Sequence, residues 1–126
     1  PDFVDPGLGG FLARRPEYAA HADENRGKHK VPTLRNVGKA PNAGFTKAFG
    51  HNGYFKSLKE IVHFYNTRDV LPVCEEGDPG EKVTCWPPPE VPENVNTTEL
   101  GNLRLTDEEE DAIVAFLEML SDGFLP

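Results

Sequence analysis

The sequence predicts an all-α fold with long ordered loops and little or no strand, on three observations. Two segments, 57–66 and 106–120, carry apolar residues at helical spacing behind an S/T-x-x-E start. No alternating apolar run of useful length exists, and no hairpin dipeptide separates two such runs. Twelve Pro and twelve Gly interrupt most of the remaining chain, which points to loops rather than further helices. The 126 residues suit one domain over 1–126.

In chain order, "PGLGGFLARRPEYAAHADENRGKHK" reads as a Gly-rich opening and charged loop, with one short helix over 16–22. "VPTLRNVGKAPNAGF" is broken by Pro and Gly, leaving a single turn over 33–36. The first firm helix starts at Ser57, whose partner in the capping box is Glu60. Leu58, Ile61, Val62 and Tyr65 form its inward stripe. A tyrosine on such a face needs a partner for its hydroxyl, so Tyr65 stands out. The last helix is capped by Thr106 with Glu109, and Asp107, Glu108 and Glu109 place negative charge at its positive end. Ile113, Val114, Phe116, Leu117 and Leu120 make its expected buried face, and Gly123 is available as a left-handed stop.

Between the helices, 67–103 form a long irregular excursion. It holds the only Trp, Trp86, and the only two cysteines, Cys74 and Cys85. The cysteines are in no C-x-x-C pair, which argues against zinc-ribbon and thioredoxin readings. An even count around "EEGDPGEKVT" instead predicts a Cys74–Cys85 disulfide and an oxidising compartment, with two unpaired thiols as the alternative.

The formal charge of −8 makes nucleic acid an unsuitable partner and suits a basic one, such as a small cationic electron-transfer protein. Mean hydropathy is −0.52, and no apolar run approaches the ~18 residues of a membrane span. No nucleophile elbow, P-loop, zinc-protease or dinucleotide motif is present. Of the four histidines, His21 and His29 sit in charged text and His63 lies one position off the apolar stripe, where a surface role is expected. His51 differs. It occupies "FGHNGYF", a glycine-rich aromatic turn that permits close backbone approach to a flat group.

"VPTLRNVGKAPNAGFTKAFGHNGYFKSLKEIVHFYN" and then "LRLTDEEEDAIVAFLEML" resemble the C-terminal haem domain of the bacterial di-haem cytochrome c peroxidase and MauG family. That family reads roughly P-x-L-R-N-V, then Y-x-H-D-G, then L-x-E-x-V-x-F-Y and finally L-T-x-E-E-x-x-x-L-x-x-F-L. The resemblance implies a cytochrome c-like domain. It implies a haem-dependent oxidoreductase that reduces peroxide with electrons from a small donor or oxidises a protein substrate. The alternatives are a non-catalytic c-type cytochrome electron-transfer module and a haem-free all-α binding domain.

By the same resemblance, His51 matches the histidine of the H-D-G turn, a catalytic and haem-facing position, although Asn52 stands where the family has Asp. Tyr65, fourteen residues after His51, matches the distal iron ligand, with His51 and Met119 as rivals. Arg35 is placed to pair with a haem propionate. Thr46, five residues before His51, matches a calcium ligand. The family attaches haem c through C-x-x-C-H, which this chain lacks. The implied partner is therefore a haem-bearing N-terminal segment or chain, and the implied location is the periplasm or another exported compartment.

Overall fold

The structure, a computed structural model, describes residues 3–123. The described residues divide into two compact units, one of residues 3–31 with 87–96 and one of residues 32–86 with 97–123. The α-helices are α1 (Gly7–Leu12), α2 (Leu58–Thr67) and α3 (Asp107–Met119), with short 3₁₀ turns at Ala19–His21, Asp23–Asn25 and Pro92–Asn94.

The first unit holds a helix where the sequence reads as loop. Glycine weakens a helix in isolation, so α1 depends on tertiary support. Asp5 accepts the Gly7 N–H at 2.9 Å, and Leu8 donates to the Lys28 carbonyl at 2.8 Å. Gly9 is buried because the backbone of 22–26 lies against it. A Cβ there would stand 2.6 Å from the Ala22 oxygen and from the Arg26 Cα. The expected helix over 16–22 shrinks to one 3₁₀ turn. Asn25 donates to the His21 carbonyl and Glu24 bonds the His21 ring at 2.8 Å. Such local bonds compete with helix propagation. Asn94 ties the returning segment to the Asp23 and Arg26 carbonyls, each at 3.0 Å.

The second unit is built on the α2–α3 pair. Ser57 accepts the Glu60 N–H at 3.1 Å, while Glu60 reaches the Lys56 N–H at 2.8 Å, one residue earlier than a full capping box requires. Thr106 and Glu109 form the complete box on α3. The residues α2 buries are Leu58, Val62 and Asn66, a line of i, i+4 and i+8. Around them the core gathers Phe55, Cys85 and Trp86. Fully burying a side chain of this size contributes roughly 1.5–3 kcal/mol. The 67–86 excursion therefore supplies the centre of the core. Trp86 is 2% exposed, and its backbone pairs with Pro72 and Cys74.

The end of α3 is closed by the "LRNV" turn. Asn36, at φ 61°, donates its N–H to the Leu120 carbonyl at 2.9 Å and accepts the Asp122 N–H at 2.7 Å. This satisfies a carbonyl that a helix end leaves open. Gly123 does adopt positive φ, 78°, but lies beyond the cap position it was expected to fill.

The expectation of an all-α, cytochrome c-like domain is overturned. Among the described residues, three α-helices of 6, 10 and 13 residues with the three 3₁₀ turns make 31% helix, and 5% forms strand. The strand is confined to isolated bridges such as Phe49 with Phe55 and Val73 with Trp86. The reason is the Pro- and Gly-rich text. Loops, not helices, deliver Phe55 and Trp86 to the interior, so one helix pair suffices to organise the unit.

Candidate functional site

The site residues expected from the sequence occupy different places. His51 is exposed at the tip of a turn closed by Phe49 and Phe55, whose backbones bond at 2.8 and 3.3 Å. Gly50 and Gly53 flank it at φ 81° and 70°, so here the glycines serve the turn itself. Arg35 directs its fork at Asp122, with Nε at 3.1 Å and Nη2 at 2.9 Å from one carboxylate oxygen. Asn36 adds a further bond to the same carboxylate at 3.0 Å. Arg35 first and Asn36 next hold the Asp122 carboxyl below its usual range.

Tyr65 was expected on the buried stripe of α2, but it is 43% exposed. The inward line runs through Asn66 instead, one residue on. The Tyr65 carbonyl accepts the Gly101 N–H at 2.6 Å, which fixes the backbone beneath an outward ring. Phe116, expected inside, is also exposed, as is Met119.

Thr46 lies in the wall of a cleft of about 410 Å³ lined by Phe45, Phe49, Leu58, Val114 and three lysines, among others. Calcium takes roughly 6–8 oxygen ligands, carboxylates above all. The wall offers one carboxylate, Glu118, and the hydroxyls of Thr46 and Ser57 against three ammonium groups, which falls short of that need, so calcium at Thr46 is not supported. Lys47, one of the three lysines, bonds the carbonyls of Asn36, Val37 and Lys39 at 2.9, 2.7 and 2.8 Å and thereby sets the 36–39 turn.

Cys74 and Cys85 are joined, with Cα atoms 5.1 Å apart. The bridge sits at the neck of the 74–85 loop, and Cys85 and Trp86 enter the core together.

Two clusters were not read from the sequence. The first is centred on Glu110, 2% exposed. Its Oε1 accepts from Asn66 at 2.7 Å and contacts His63 Nδ1 at 3.0 Å, while Lys59 stands 3.2 Å from Oε2. Burial raises the Glu110 carboxyl, but the bonds from Asn66, His63 and Lys59 outweigh it, and the net shift is downward. His63 is thus half-buried rather than superficial, with Nε2 3.2 Å from the Val83 carbonyl. Asn66 also bonds both backbone groups of Leu105 at 3.0 Å. The signal was present: Glu110 continues the stripe of Val114 and Leu117 one turn back, and a carboxylate in that line implies partners.

The second cluster is aromatic. Phe64 packs edge-on to Trp86 at 5.0 Å and tilted against Phe55 at 5.1 Å, and Tyr65 lies 6.1 Å from Phe64. At the far end Tyr54 meets Phe55 at 5.0 Å and donates its hydroxyl to Glu81.

A haem needs a broad apolar surface and an accessible donor. Fifteen large apolar side chains are exposed among the described residues, spread over both units, and singly exposed apolar side chains are ordinary on a protein surface. Tyr65 is one of them, and its accessible phenol is the donor such a group would use.

No family model matches the chain. It is 38% identical over 122 residues to the methylamine utilization protein MauG of Paracoccus denitrificans, a match covering 96% of this chain and 28% of that protein. The likeness supports a relationship to the MauG type without assigning the chain to one haem domain of it. Along almost all of its length, then, this chain is similar to little more than a quarter of a MauG protein.

Proposed function

We propose that the chain is part of a haem-dependent oxidoreductase of the di-haem cytochrome c peroxidase type, with haem c attached by sequence outside these 126 residues. The supporting observation is the 38% identity to MauG over 96% of the chain. When bound, the haem supplies the one-electron chemistry.

On this reading Tyr65 would hold the haem iron through its phenol oxygen. A phenolate oxygen favours the ferric state, and the backbone bond from Gly101 orients its bearer. His51, exposed on its turn, moves a proton at the peroxide or substrate. Arg35 reaches a propionate only by sharing or releasing Asp122. The electron donor is a small cationic protein, in keeping with the −8 charge, and peroxide or a protein side chain is the species that reacts. The disulfide fits an exported location, and no helix among the described residues is long and apolar enough to cross a membrane.

The test is a pyridine haemochrome spectrum of the natural polypeptide that contains this chain. A c-type α-band, with haem stain retained after denaturing electrophoresis, is expected. The isolated 126 residues should remain unstained. A natural polypeptide without covalent haem overturns the proposal.

A further inference from the structure

Tyr54 sits at the end of the aromatic cluster with a carboxylate on its hydroxyl and a cation on its ring. The hydroxyl donates to Glu81. Lys82 Nζ lies 4.3 Å from the ring centroid and donates to the Tyr54 carbonyl at 2.8 Å, with Glu60 3.5 Å away. Rings connect this residue to Tyr65. The steps are Tyr54 to Phe55 at 5.0 Å, Phe55 to Phe64 at 5.1 Å and Phe64 to Tyr65 at 6.1 Å, with Trp86 beside both phenylalanines at 6.2 and 5.0 Å.

From this arrangement we infer that Tyr54 and Glu81 form a redox-active pair, the place where an oxidising equivalent entering the aromatic cluster comes to rest. Tyr54 gives one electron to a one-electron oxidant, which is reduced by one. The phenolic O–H bond breaks and its proton passes along the existing hydrogen bond to a Glu81 carboxylate oxygen. The products are a neutral tyrosyl radical and a neutral carboxylic acid. An electron from a one-electron reductant, with return of the proton, restores the pair.

Three features favour Tyr54 over the other oxidisable rings. Lys82 on its face opposes any cationic ring, so electron loss has to be accompanied by proton loss. Glu81 provides the base. Burial, and then Glu81, push the phenol well above its ordinary value, so it stays protonated until a proton acceptor takes part. Trp86 lacks this arrangement. Its indole N–H donates at 3.0 Å to the Thr67 hydroxyl, whose own proton goes to the His63 carbonyl at 2.7 Å, and a hydroxyl is a poor base. Tyr65, at the other end of the rings, is exposed. That the natural oxidant is a haem rests on the proposed function; the chemistry of the pair does not.

The chain contains three tyrosines, so Tyr18→Phe/Tyr65→Phe leaves Tyr54 alone. Flash-generated tris(bipyridine)ruthenium(III) is the oxidant, and electron paramagnetic resonance with transient absorption reads the radical on the haem-free protein. A tyrosyl signal is expected, and adding Tyr54→Phe should remove it. Glu81→Gln keeps the shape but loses the base. It should slow radical formation about ten-fold or more and alter its solvent deuterium effect, with Glu81→Asp in between. No tyrosyl signal in the Tyr54-only protein, or the same rate and isotope effect with Glu81→Gln, overturns the inference. Because no haem is involved, either result leaves the proposed function to its own test.

Discussion

Replacing Glu110 by Ala should be among the most damaging single changes in the second unit. The carboxylate is buried, and two donors depend on it: the Asn66 amide at 2.7 Å and His63 Nδ1 at 3.0 Å. Hydrogen bonds to a charged group contribute about 1.5–3 kcal/mol each. Lys59 adds little, because its side chain is 36% exposed and shared with Asp107 and Asp111. Asn66 keeps one N–H on the Leu105 carbonyl, which moderates the loss. The expected cost is about 3 kcal/mol in urea unfolding at neutral pH. Glu108→Ala, on the exposed side of α3, should change stability by no more than about 0.5 kcal/mol. The sign with pH also follows. The folded Glu110 carboxyl lies below its ordinary 4.5, so the unfolded chain takes up the proton first as pH falls. Its stabilisation is complete above that range and disappears as pH falls through the folded value. The gap between wild type and Glu110→Ala should therefore narrow in acid. A loss below about 1 kcal/mol at neutral pH, or a gap that widens in acid, refutes the reasoning.

Reducing Cys74–Cys85 should destabilise the chain by about 2–3 kcal/mol in the chain-entropy account, read by urea unfolding with and without reductant. Intact mass should rise by about two hydrogens on reduction. Thr67→Val removes the acceptor for the buried Trp86 N–H and should cost about 1–3 kcal/mol, with a change in Trp86 fluorescence before unfolding.

The sequence made α2 and α3 legible because side-chain caps and apolar spacing are local signals, and the bounds differ from expectation by about a residue. The disulfide was legible from cysteine number and loop composition. What escaped was tertiary. A Gly-rich α1 stands only because the backbone of 22–26 lies on Gly9. Tyr65 and Asn66 are adjacent, and the choice of which faces inward was made by Leu105 and Glu110, 39 and 44 residues away. Arg35 found a carboxylate at Asp122, 87 residues on, which no local pattern announces. The all-α expectation failed because loops that carry Trp86 and Phe55 fill a core as well as helices can.

The proposed function is tested most directly at Tyr65 in the haem-bearing natural polypeptide. Tyr65→Phe keeps the ring and removes only the oxygen. The side chain is 43% exposed, so folding should be unaffected. The ferric spectrum should lose its phenolate charge-transfer band, and the reduction potential should rise, since a phenolate favours ferric iron. An unchanged ferric spectrum and potential would contradict the account and leave Tyr65 a surface tyrosine on α2.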